Sequence, residues 1–191
     1  MKIGRMTEIE TADIQIGDRI HVDHYTATCQ EITQKGALFL MDQYLDKSMV
    51  MNRNNSNKGG YEESDLRRAL QSEDILKIFS CIREWMVPFD NGDLLRIPYY
   101  GEMFDNNDRE YIEPGSNEQW PLMKDAHNRA ASRCGEPELG WLQNKVRDAS
   151  TDFCSVYDDG DAGAWDASGV IGVRPAFLIA TYREEAETCH S

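Results

Sequence analysis

Three groups of residues carry side chains able to bind or react, and each asks for a different chemistry. Arg174 lies one position before Pro175 in an otherwise apolar run, Val173 to Ile179. The residue before a proline is biased to extended backbone. An inward arginine there reads first as structural, its fork satisfying carbonyls or a carboxylate near Trp141. A fixed cation for an anionic ligand is the alternative. Asp158, Asp159 and Asp161, with Gly160 between them and Asp166 beyond, could offer hard oxygens to Ca²⁺. Their spacing lacks the alternating Asp-x-Asp-x-Asp-Gly pattern, so they read first as a hairpin tip. Cys154 sits between Phe153 and Ser155 on an expected strand and reads as a buried thiol.

The other reactive types are dispersed. His21, His24, His127 and His190 have no Glu or Cys at zinc spacing. There is no G-x-S-x-G, P-loop or G-x-G-x-x-G pattern, so no catalytic, metal or cofactor-binding residue is assigned. Trp120, Trp141 and Trp165 offer faces for sugar stacking. Trp141 is assigned to the core, and Trp165, set among Gly, Ala and Asp, to the surface.

The elements that would position these residues follow from periodicity. Residues 1–12 read as a polar lead-in and 183–191 as a polar tail, around a single domain over 13–182. Residues 13–42 read as an antiparallel meander, with Gly17-Asp18 and Lys35-Gly36 as turns and Ala37 to Met41 as a buried central strand. Residues 52–60 are a loop by composition. Ser64 and Ser72 are expected N-caps. The second would open a helix with Ile75, Ile78, Phe79, Ile82 and Trp85 or Met86 on one face, ended by Pro88. Leu94 to Ile97 reads as a short strand, Glu102 to Phe104 as one helical turn, Pro114-Gly115 as a turn, and residues 120–132 as part helix. Strands, then helices, then strands make an α+β fold, in which the first and last strands would most simply pair.

A chain of 191 residues is long enough to bury a core without disulfides or metal. With 34 acidic against 20 basic residues, the net charge is −14. Arg67-Arg68 and Arg129 with Arg133 are the densest basic pairs, too sparse to neutralise phosphates, so nucleic-acid binding is not expected. No apolar run approaches membrane-spanning length and no signal peptide is seen, so neither a membrane partner nor secretory export is expected. Five cysteines without C-x-x-C spacing suit reduced thiols of a cytoplasmic protein, with Cys189 exposed.

The order of motifs resembles a bacterial and prophage domain-of-unknown-function family that shares the C-type-lectin-like architecture of formylglycine-generating enzymes and phage receptor-binding proteins. Tyr61 to Leu70 is similar to that family's Ser-x-Leu-Arg helix start, and Ile97 to Phe104 to its strand and Glu-Met-Phe turn. Gln119 to Asp125 with Asn128-Arg129 is similar to the stretch before its Trp motif. Gly140-Trp141-Leu142 and Gly172 to Phe177 are similar to its closing pair. Where that family continues Leu-Arg-Ser-Pro, this chain reads Leu142-Gln143-Asn144-Lys145-Val146-Arg147. The resemblance implies a small twisted antiparallel sheet with two flanking helices and long loops. It also implies a non-enzymatic binding or phage-associated structural module, in the cytoplasm or on a phage particle, with an unknown protein or glycan ligand. The expected recognition surface spans residues 143–152 and 158–168, with Asn144, Arg147, Asp158, Asp159, Asp161 and Trp165 as ligand-binding residues and Trp141 and Arg174 as structural ones. The alternative is a relative of the formylglycine-generating oxidases with a lost or altered metal site. Those enzymes hold copper on paired cysteines, and Cys134 and Cys189 are the other late thiols here. A closed homo-oligomer is a further expectation.

Overall fold

The computed structural model describes residues 13–105, 112 and 118–181. The lead-in, the Pro114-Gly115 turn and the tail with Cys189 and His190 lie outside the described residues. The fold is α+β, with little helix around antiparallel sheets, and no described helix is long and apolar enough to cross a membrane.

The meander forms where the alternation places it. β1 (Arg19–Val22) exposes Arg19 and His21 and buries Val22, the half-polar pattern of an edge. A two-residue turn with Asp23 at φ 55° leads into β2 (Tyr25–Thr33). β2 then pairs with β3 (Gly36–Met41) through a bulge. Cys29 faces Phe39 and Glu31 faces Leu38, so Gln30 is the extra residue. Gly36 is required at the second turn: a Cβ there would lie 2.1 Å from the Ile179 carbonyl oxygen, at φ +150°.

β3 is buried at every position, as its apolar run predicts, and lies in the middle of the sheet. The expected pairing of first and last strands is not what forms. β10 (Ala176–Ile179) pairs with β3, Ala176 opposite Leu40 and Phe177 opposite Phe39, and with β4 (Met86–Val87) on its other edge gives the order β1-β2-β3-β10-β4. The physical reason is burial: β3 and β10 are apolar on both faces, so both must be interior strands, whereas β1 tolerates water. One face sends Phe39, Met41, Phe177 and Ile179 into a core with Leu66, Leu70, Phe79 and Trp141. The opposite face sends Leu38, Leu40, Ala176 and Leu178 into a second core with Tyr100, Met103, Trp120 and Leu142.

Ser64 caps α1 (Asp65–Leu70), its Oγ accepting from Arg67 N at 3.0 Å. Ser72 does not cap as expected: its hydroxyl donates to the Ala69 carbonyl at 2.6 Å. The long helix expected after it is also broken. α2 (Glu73–Leu76) passes into 3₁₀ turns over Lys77–Phe79 and Arg83–Trp85, and Met86–Val87 becomes β4, paired with Leu178 and Ile179. The apolar stripe still packs on the core, Phe79 meeting Phe177 edge-on at 5.3 Å. The strand expected at Leu94 to Ile97 shrinks to one bridge, Arg96 to Ala176. The open edge of β10 is thus divided between two short segments, and neither can extend.

The helical turn α3 (Tyr100–Met103) is anchored from beneath. Arg96 and Glu102 are 8% and 3% exposed and form a two-pronged ion pair at 2.7 and 2.6 Å. Glu102 also accepts from Tyr99 N at 2.8 Å. Arg96 lies over the rings of Phe89 and Tyr99 at 4.9 and 5.1 Å. Removing one partner of such a buried pair strands the other charge. Glu102→Gln is expected to lower unfolding free energy by about 3 kcal/mol, and the double variant Arg96→Met/Glu102→Leu by clearly less. Urea melts of the three proteins check the order, and a double variant as unstable as the single one contradicts it.

Candidate functional site

Most of the residues under consideration lie on the second sheet and its connections. β7 (Gly140–Lys145), β8 (Asp152–Val156) and β9 (Ala162–Asp166) make a three-stranded meander, and β5 (Ala131–Arg133) pairs with β6 (Glu136–Glu138) just before it. Trp141 is buried, as expected, with its ring edge-on to Phe153 at 6.4 Å. Its Nε1 donates to the Met49 carbonyl at 2.8 Å, and its main-chain N to Gly172 O at 3.1 Å. The glycines of the two closing motifs share one cause. A Cβ on Gly140 or Gly172 would lie 2.3 or 2.6 Å from the ring of Tyr44, which the two motifs enclose. Burial pushes the Tyr44 phenol up to about 12. Only the glycines hinted at this ring in the sequence, and nothing pointed to Tyr44 itself.

Arg174 is buried just before β10, because Pro175 has no N–H and the ladder begins beyond it. Its Nε donates to Met41 O at 2.6 Å and its Nη1 to Asn128 O and Arg129 O, each at 3.1 Å. Of the carbonyls or carboxylate expected for it, Arg174 takes carbonyls, those of Met41, Asn128 and Arg129. Burial pulls its pKa down from the usual arginine value, with Tyr44 and Asp42 opposing.

The six expected ligand-binding residues do not form one surface. Asn144 is half-buried, and its Oδ1 accepts from Tyr100 N at 2.7 Å, satisfying the start of α3. Asp158, Asp159 and Asp161 form the tip of the β8–β9 hairpin, where Tyr157 N donates to Asp161 O at 2.8 Å and Asp161 N to the Asp159 carboxylate at 3.0 Å. Gly160, at φ +88°, is pressed onto α4 (Ala126–Arg129), and Arg129 Nε donates to its carbonyl at 2.8 Å. Among the described residues, no group of three or more His, Cys, Asp and Glu side chains is placed to hold a metal ion.

Trp165 stands at the other end of the same hairpin, paired with Phe153. Four residues of strand, about 13 Å at 3.3 Å per residue, separate it from Asp161. Its indole is 42% exposed and lies on Gly169, where a Cβ would be 2.1 Å from Cδ1. Arg147 and Asp148 are exposed in the β7–β8 turn at this same end, where Ala167 N bonds Thr151 O. The 52–60 loop closes on it too. Asn57 is buried and donates to the carbonyls of Ala149 and Asp152 at 2.7 and 3.2 Å, and Asn55 Oδ1 accepts from Ser168 N. These asparagines were legible in the sequence only as loop composition.

Cys154 is buried in the second core, whereas Cys134 is exposed at the β5–β6 turn, φ 53°. Comparison with protein-family models, curated proteins and solved structures found no match. Cys29 is also buried, and desolvation raises its thiol to about 11. A thiol reacts as its thiolate. Iodoacetamide at pH 8 is therefore expected to modify Cys81 and Cys134 in the folded protein, and Cys29 and Cys154 only after denaturant is added. Peptide mapping that finds Cys29 alkylated as fast as Cys81 contradicts this assignment.

Proposed function

We propose that this chain is a non-enzymatic binding module of C-type-lectin-like architecture, phage-associated or cytoplasmic, that recognises a glycan through the Trp165 end of its second sheet. The observation that carries the reading is the indole of Trp165, exposed yet seated on the Gly169 backbone. An aromatic face held in place offers contact area at little entropic cost when a sugar ring stacks on it. Exposed at the same end are groups suited to sugar hydroxyls, Ser168 and, in the β7–β8 turn, Arg147. The platform is rigid because buried Asn57 ties the 52–60 loop to the β7–β8 turn.

The test is a printed array of mono- to hexasaccharides probed with labelled protein. The wild type is expected to retain at least one glycan class, and Trp165→Ala to weaken it tenfold or more, about 1.4 kcal/mol, with an unchanged melting curve. Retention of no glycan by the wild type, or undiminished binding by Trp165→Ala, overturns the reading.

A further inference from the structure

On another side of the molecule, a cleft of about 380 Å³ opens between the bulge of β2 and the segment carrying α4, lined by Arg19, Thr28, Gln30, Asp42, His127 and Arg174 among others. Its size suits a molecule of a few heavy atoms. Two of its lining groups stand out: a buried cation with no ion pair to a described carboxylate and a buried amide with an unpartnered oxygen. Arg174, 7% exposed, bonds three carbonyls through Nε and Nη1, and makes no ion pair with a described carboxylate. A buried cation without a counter-ion is costly unless something compensates it. Asp42 is nearby but already accepts hydroxyls from Thr26 and Thr28, each at 2.6 Å, and approaches Arg19 at 3.7 Å.

Gln30 is the second group. It is the bulged residue of β2 and is 2% exposed. Its Nε2 donates to Thr28 O at 3.0 Å, which fixes the amide orientation and leaves Oε1 an acceptor. That oxygen is buried and has no hydrogen-bond partner. Buried polar atoms without partners are rare, and bulges re-aim side chains at functional sites. A cation held by carbonyls rather than by an ion pair and a residue with an unpartnered acceptor thus line one cleft.

We propose that this cleft binds a small carboxylate monoanion bearing an adjacent N–H or O–H, its carboxylate on Arg174 and its donor on Gln30 Oε1. A 2-hydroxy acid or an N-acyl amino acid has this chemistry. Arg19 at the mouth adds positive charge, while the Asp42 carboxylate disfavours a dianion such as phosphate. His127 lies on the rim. The site is independent of the glycan platform, since it shares no residue with it.

The test uses the full chain with lactate, N-acetylglycine, their uncharged amides and inorganic phosphate as probes. At 20 mM, lactate or N-acetylglycine is expected to raise the Tm of the wild type by about 2 °C or more, while the amides and phosphate have little effect. Calorimetric titration of Gln30→Leu is expected to show at least tenfold weaker binding, and Trp165→Ala no change. Arg174→Met is expected to abolish binding. Because Arg174 also holds three carbonyls and that variant can fail to fold, Gln30→Leu decides. No Tm shift with either carboxylate, an equal shift with phosphate, or a Gln30→Leu affinity within twofold of wild type overturns the proposal.

Discussion

The structure depends on the pairing of β3 with β10. Each strand is apolar on both faces, so neither is stable until both faces are covered and both edges are paired. Their union brings residues more than 130 positions apart into contact, as the bond from Arg174 to the Met41 carbonyl, 133 positions away, illustrates. Once joined, they define two cores, one on each face, and most of the described elements cover one core or fill one edge. The meander β1–β2 closes one side. Met86–Val87 and Arg96 share the other.

The second sheet serves both cores because its strands alternate. Trp141 and Phe153 enter the first, while Leu142, Cys154 and Val156 enter the second. Inserting side chains into two cores leaves these strands little freedom. The hairpin β8–β9 therefore holds its ends in fixed places, with the acidic tip against α4 and Trp165 at the far end. Rigid strands that carry an exposed aromatic make a better recognition platform than a loose loop would, because less disorder is lost on binding.

Polar groups inside this fold divide into completed and incomplete sets. Arg96 and Glu102 complete one another, and Asn57 and Gln143 spend their amides on carbonyls of neighbouring segments. Gln30 is only partly completed, its Oε1 being buried without a partner. A folded chain tolerates such groups at a cost in stability, and they concentrate where a ligand completes them. The placement of Gln30 follows from the bulge, which adds one residue to β2 and puts an amide where the regular ladder would have none.

Much of the local structure was readable from residue types alone. The unbroken run Ala37 to Met41 marked an interior strand, Ser64 a helix start, the Asp-Gly cluster a hairpin tip, and Trp141 a core residue. Arg174 before Pro175 marked an inward cation, though not which groups it would meet. Each rests on a short-range rule linking a side chain to its own backbone or its own burial. Strand order, the β4 edge, the enclosure of Tyr44 by two glycines and the roles of Asn144 and Gln30 were not readable. They are settled by competition among distant segments for the same edge, face or donor, and a local pattern carries no record of its competitors. The stripe from Ile75 to Trp85 announced burial correctly but not shape, since a helix and a broken turn ending in a strand can bury the same side chains. Burial was thus written residue by residue, whereas partnership arose only when the chain closed on itself.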